Sequence, residues 1–194
     1  MERAQVTVQI LLGGRSVRMG RDKALVCLGG KTLLERAVER WSGYGGAFQL
    51  SVGPASRAAL APAGVETVAD VYPERGPLGG LHAGLKCCRT DCLLLAAVDA
   101  PFLTPAHADR LLAAIGGAEA CVFTLEGRPE PLFGLYRRRC VTAAETLLLK
   151  GDNRMRSLLD WVNTVYVPAE DGAVFRNLNT PEELARAAAE GGLP

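Results

Sequence analysis

The chain has 194 residues, 48% hydrophobic and 22% charged, and a net charge of +1. This is enough chain for one full-sized core, and it is read as a single domain over residues 1–194 with the composition of an ordinary globular protein. A charge so near zero removes the basic field by which nucleic-acid binders are recognised, and no apolar run approaches the ~20 residues of a membrane span, so neither nucleic acid nor membrane is expected as a partner. In chain order, Val6–Leu12 reads as a buried strand. It runs straight into glycines, without the cleavage region of a signal peptide, and a cytoplasmic location is expected. Thr32-Leu33-Leu34-Glu35 is a capping box opening a helix to about Trp41. Strands follow at Ala47–Val52 and Val65–Ala69, and a helix at Leu78–Cys88. Cys92–Val98 is an apolar strand ending at Asp99, and Pro105–Ile115 is a helix with proline where the first turn tolerates it. Ala120–Leu125 and Leu132–Tyr136 read as strands, Thr142–Lys150 and Arg156–Trp161 as helices, and Thr164–Val167 as a short strand. Thr180-Pro181-Glu182-Glu183 caps a last helix to about Glu190.

Strands alternating with helices predict an α/β fold: a doubly wound, mainly parallel sheet with helices on both faces. Ligands of such sheets bind beyond the carboxyl ends of the strands. The residues just after three of the strands, Gly13/Gly14, Asp70 and Asp99, should therefore be close in space. The six cysteines form neither a C-x-x-C pair nor a Cys/His cluster with zinc spacing. They are read as reduced thiols that act as small hydrophobes. His82 and His107 lie in helical patterns with no evident acidic or nucleophilic partner and are read as structural or exposed.

The first loop carries the strongest chemical signal. Gly13-Gly14 lets the backbone turn sharply and present N–H groups to an anion, and Arg15, Arg18, Arg21 and Lys23 add positive charge. The segment from Leu11 to Lys23 is thus a candidate phosphate cradle. It lacks the Gly-Lys-Ser/Thr of a Walker A loop and the G-x-G-x-x-G of the dinucleotide fingerprint. A plain Gly-rich βα turn with solvated arginines is the other reading. Asp99, at the carboxyl end of a central strand, is well placed for Mg²⁺, which takes one or two carboxylates plus phosphate oxygens; an Asp that caps the turn before Pro101 is the lesser alternative. Asp70 ends another strand, where Asp also serves turns. Pro77-Leu78-Gly79-Gly80 opens a helix whose free N–H groups can meet a phosphate, while its glycines can equally let helix and sheet approach.

The stretch LLGGRSVRMGRDKALVCLGGKTLLER resembles the opening signature of the molybdenum cofactor guanylyltransferases, with Leu12 where that family has a small Ala. Gly76–Leu85, Val98–Leu103, Glu130–Tyr136 and Asn177–Leu184 resemble later family segments in the same order, so the likeness runs from about Val8 to Leu184. The resemblance implies a Rossmann-like nucleotidyltransferase fold and transfer of GMP from GTP to molybdopterin, with release of pyrophosphate and Mg²⁺ as cofactor. It implies that Leu11, Leu12, Gly13, Gly14, Lys23, Ser51, Asp70, Pro77, Leu78, Gly79 and Asp99 meet the nucleotide, with Ser51 standing where the family has an Asn. Lys23, Arg18 and Asp99 become the catalytic residues, with the metal on Asp99. Arg154, Asn177 and Asn179 become the contacts to the second substrate, although Arg154 fits a solvated helix start and Asn179 a turn. Passing contact with other molybdenum cofactor biosynthesis proteins or apo-molybdoenzymes is also implied, and a monomer is expected. Two other readings stay open: a CTP-dependent relative acting on molybdopterin or on a sugar or polyol phosphate, and a non-catalytic nucleotide-binding protein.

Overall fold

Residues 1–13, 22–176, 178 and 183 are described by the structure, a computed structural model. The elements run β1 (Val6–Leu11), β2 (Cys27–Leu28), β3 (Lys31–Thr32), α1 (Leu33–Trp41), β4 (Ala47–Gly53), β5 (Glu66–Ala69), α2 (Gly76–Cys87), β6 (Cys92–Ala97), α3 (Pro105–Ala114), β7 (Ala120–Leu125), β8 (Arg128–Arg137), α4 (Cys140–Leu149), α5 (Met155–Trp161) and β9 (Thr164–Pro168). Seven strands form one sheet in the order β5-β4-β1-β6-β8-β7-β9. β1 pairs in parallel with β4 and β6, β4 with β5, and β7 with β9, whereas β8 is antiparallel to both its neighbours. The expected mainly parallel, doubly wound sheet is therefore present. Of the helix expected after Thr180, only Glu183 is among the described residues, and it is helical.

The strands sort their side chains by the two-residue period of an extended chain. From β1, Val6, Val8 and Ile10 enter an apolar layer with Leu33, Leu34 and Trp41 of α1 and Leu111 of α3. Leu11 enters the opposite layer with Leu78, Leu81 and Leu85 of α2, Leu147 of α4 and Leu158 of α5. α1 starts where its capping box places it: Thr32 Oγ1 accepts from Glu35 N at 3.1 Å, and Glu35 Oε2 accepts from Thr32 N at 2.7 Å. Such a cap contributes about 1 kcal/mol. The Gly30-Lys31-Thr32 triplet belongs to this cap and to the small β2–β3 ribbon, not to a phosphate loop.

β8 starts four residues earlier than its apolar pattern suggests. Glu126 (φ 49°) and Gly127 (φ 75°) form a two-residue hairpin with both residues left-handed, the conformation such turns demand. Pro129 and Pro131 disguise the start of the strand, and β7 and β8 slip register between Val122 and Phe123 to admit them.

α2 lies unusually close to the sheet. Buried Gln49 donates from Nε2 to Gln9 Oε1 at 2.6 Å, and Gln9 donates in turn to the Gly80 carbonyl at 2.9 Å. A Cβ on Gly84 would fall 1.8 Å from Gln9 Oε1. Gly84 thus serves the close approach of α2 to the sheet. Among the described residues no helix is long and apolar enough to cross a membrane.

Candidate active site

The carboxyl ends of β1, β4 and β5 border a pocket of about 420 Å³. Leu11 and Gly13 supply its β1 side, Ser51 and Gly53 its β4 side, Asp70 its β5 side, and Gly76, Pro77 and Gly80 the start of α2. Gly13 (φ 71°) and Gly53 (φ 68°) are left-handed, so each strand turns out of the sheet at the pocket rim without steric cost. Backbone bonds hold the rim together: Leu12 N donates to Ser51 O at 3.1 Å, Asp70 N to Gly53 O at 2.8 Å, and Val98 N to Leu11 O at 3.0 Å.

Asp70 faces the first turn of α2. Its Oδ1 is buried with no hydrogen-bond partner, and burial pushes its carboxyl above the usual carboxylate range. A buried acceptor of this kind is costly and suits a ligand that brings N–H groups. Gly80 is required beside it, since a Cβ there would sit 2.7 Å from Leu11 Cδ2 and 2.8 Å from Ser51 Oγ.

Asp99 follows β6 at the same end of the sheet. Lys23 Nζ donates to Asp99 Oδ2 at 2.6 Å, and the two side chains are only 18% and 15% exposed. The first loop and the third strand end are thus brought together, as the topology predicts. Asp22, next to Lys23, accepts a forked pair of bonds from Arg57, which also donates to the carbonyls of Gly13 and Val52. Neither Asp22 nor Arg57 was singled out by the sequence. Asp22 was legible as the one acid in the basic loop, but Arg57 stands 35 positions away, and only the fold joins them.

Gly13, Leu11, Ser51, Asp70 and Pro77 line the pocket as expected. Leu12 and Leu78 do not: their side chains are fully buried in the two apolar layers, leaving only their backbone near the rim. Leu12 can therefore replace a small residue because it points into the core beneath the loop. Gly79 packs beside Asp70, with a notional Cβ 3.7 Å from Oδ2. Arg154 caps the start of α5 and is bound to Asp152 at 2.7 Å, largely exposed. α4 starts beside Glu119, and β9, which α5 leads into, starts beside Ala120. The α4–α5 turn carrying Arg154 is thus at the opposite, carboxyl end of the sheet. Gly14, Arg18, Asn177 and Asn179 lie outside the described residues.

His107 caps α3, its Nδ1 accepting from Thr104 N at 3.1 Å. His82 is fully buried on α2, its ring tilted at 52° against Tyr72, with Nε2 3.5 Å from Glu145 but without a hydrogen bond at either nitrogen among the described residues. An acidic neighbour is thus present that sequence distance concealed. Burial, aided by Lys86 and opposed by Glu145, lowers the His82 pKa.

This sheet, with its pocket beyond β1, β4 and β5 and an acid after β6, defines a nucleotidyltransferase of Rossmann-like architecture. Residues 8–166 match the model of the MobA-like NTP transferase domain, and the chain belongs to that family. It is 34% identical to a molybdenum cofactor guanylyltransferase of Vibrio atlanticus, over 94% of this chain and 95% of the relative. A molybdenum cofactor guanylyltransferase of Ralstonia nicotianae is 35% identical, over 95% and 97%. The crystal structure of molybdopterin-guanine dinucleotide biosynthesis protein A from Archaeoglobus fulgidus superposes with a TM-score of 0.84 at 28% identity, covering 95% of this chain and 98% of that one. The 2-C-methyl-D-erythritol 4-phosphate cytidylyltransferase of Thermus thermophilus shares the fold, with a TM-score of 0.69 at 18% identity.

Proposed function

We propose that this nucleotidyltransferase moves GMP from GTP to the terminal phosphate of molybdopterin and releases pyrophosphate. The observation that carries the reading is the Lys23–Asp99 pair placed at the same sheet end as a pocket that holds an unpartnered acid, Asp70. A guanine edge offers N–H donors, which would satisfy Asp70 Oδ1. The names of the relatives in Vibrio and Ralstonia support the same substrates.

In this reaction a phosphate oxygen of the acceptor forms a bond to the α-phosphorus of GTP. The bond from the α-phosphorus to the bridging oxygen breaks, and pyrophosphate leaves with that electron pair. The nucleophile is already an anion, so no general base is needed; charge and alignment are the obstacles. Lys23 neutralises the polyphosphate, with Arg18 in support. Gly13 and Gly14 present backbone N–H groups, together with the first turn of α2 at Pro77, Leu78 and Gly79, while Leu11, Leu12 and Ser51 border the nucleoside. Arg154, Asn177 and Asn179 hold the second substrate. Among the described residues no group of three His, Cys, Asp or Glu could hold a metal. One hard, largely buried carboxylate fits Mg²⁺ arriving with nucleotide phosphates, since that ion takes few protein ligands. Asp99 would hold it, and the bound ion would stabilise charge around the α-phosphorus. The enzyme works as a cytoplasmic monomer, in passing contact with other proteins of the same biosynthesis or with apo-molybdoenzymes.

The test is pyrophosphate release from GTP or CTP in Mg²⁺ with molybdopterin as acceptor. Turnover with GTP, and loss of at least about a hundredfold in kcat for Asp99→Asn with its fold intact, is expected, as for removal of one strong electrostatic group. Preference for CTP would transfer the assignment to a cytidylyltransferase; Ser51, in place of an amide side chain, is the residue that calls for this comparison. Binding without turnover would leave a nucleotide-binding protein.

A further inference from the structure

One side chain grips both ends of the segment between Gly13 and Asp22. Arg57 lies in the 3₁₀ turn Ala55–Leu60 after β4. Its Nη1 donates to the Gly13 carbonyl and, at 3.2 Å, to the Val52 carbonyl. Its Nε donates to Asp22 Oδ2 at 3.0 Å, and its Nη2 to Oδ1 at 2.8 Å and Oδ2 at 2.6 Å. All three guanidinium nitrogens are thus engaged. The pair is also largely buried, with side chains 14% and 16% exposed. Although Arg57 lines the pocket, Asp22 balances its charge and each of its three nitrogens is already engaged, so it has little to offer a phosphate.

We propose that Arg57 is a positioning residue for the transfer reaction. It fixes Gly13 relative to Asp22, and Asp22 passes that constraint on. Asp22 Oδ1 also accepts from Ala24 N at 3.1 Å and so caps the 3₁₀ turn Lys23–Leu25. That cap directs Lys23 toward Asp99. The inference rests on the reading that Lys23 and Asp99 serve the chemistry. Lysine cannot substitute at position 57, because a point charge cannot bridge a carboxylate and two carbonyls in one plane.

The test compares Arg57→Lys, Asp22→Asn and the double variant in the pyrophosphate-release assay. Each single change should lower kcat about 10- to 100-fold, the scale of an ångström's misplacement, with a much smaller change in the KM for nucleotide. The double variant should be no worse than the poorer single, since both break one strut. If Arg57 touches the nucleotide instead, Arg57→Lys raises KM at unchanged kcat and Asp22→Asn has no effect, and the proposal fails. Amide hydrogen exchange on the ligand-free protein supplies a readout independent of turnover. Exchange over residues 9–13 and 22–25 should speed up in each variant while β6 and α2 keep their protection; unchanged exchange over those residues overturns the strut. Should Arg57→Lys not fold, the isosteric Asp22→Asn carries both measurements. A wild-type protein that turns over no nucleotide, with exchange as expected, would sink the functional reading and leave the strut standing.

Discussion

Asp70 carries a conflict between stability and binding. Its buried, unpartnered Oδ1 and its raised pKa share one cause, loss of water without a replacement donor. A carboxyl whose pKa is raised on folding favours the native state at low pH. That advantage is lost as pH rises from the unfolded value, about 3.9, through the folded one. The penalty therefore grows as pH rises. Asp70→Asn removes the charge and should stabilise the free protein at pH 7 by about 1 kcal/mol, since a neutral amide costs less to bury than a carboxylate. That corresponds to roughly 2–4 °C in Tm for a chain of this size. The gain should fade between pH 7 and pH 4, while GTP binding at pH 7 weakens. Thermal melts at the two pH values, with nucleotide titration, check this; an Asn variant that melts lower at pH 7 than at pH 4, relative to wild type, contradicts it. The position of Asp70 was legible, because acids at the ends of parallel strands point at ligands. Its missing partner was not, because the bare backbone of Gly79 and Gly80 comes to lie beside the carboxyl only once α2 packs on the strand ends.

The packing of α2 sets how well an element could be read. Its start, legible from Pro77 in the first turn, falls at Gly76, and the capping of α1 was legible because caps are local chemistry. The hairpin at Glu126-Gly127 was hidden, because Glu is a poor advertisement for a left-handed turn and two prolines follow it. Still less visible was the role of Gly84. Only when β1 and β4 lie side by side do Gln9 and Gln49 bond, and only then does α2 need a bare backbone above them. Gly84→Ala would gain helix propensity in isolation. Here the added methyl must displace Gln9 and break a buried amide pair. The expected net loss is about 3 kcal/mol, the sum of overpacking and an unsatisfied buried amide, seen as a Tm drop on the order of 10 °C. Activity per folded molecule should be affected far less. A variant that melts like wild type would show that α2 can lift from the sheet without cost.

At the scale of the whole molecule, the cysteines test how the layers close. Their spacing excluded a zinc site and suggested small hydrophobes, but not which of them the fold would hide. Cys88, Cys92, Cys121 and Cys140 are buried between sheet and helices, whereas Cys27, on the β2–β3 ribbon, and Cys87, at the end of α2, are exposed. Burial pushes the thiols of Cys92 and Cys140 up to about 12 and that of Cys121 to about 11. Thiolate is the reactive form, so these positions lack both access and ionisation. A thiol reagent at pH 8 should modify two cysteines quickly in the native protein and all six in denaturant. The buried four face both layers of the sheet: Cys92 and Cys121 pack toward α1 and α3, Cys88 and Cys140 toward α2 and α4. If the molecule opens as one unit, all four should react at a common slow rate that follows global stability. A faster pair confined to Cys88 and Cys140 would instead locate a weaker layer on the α2 side, the side that also carries the pocket wall.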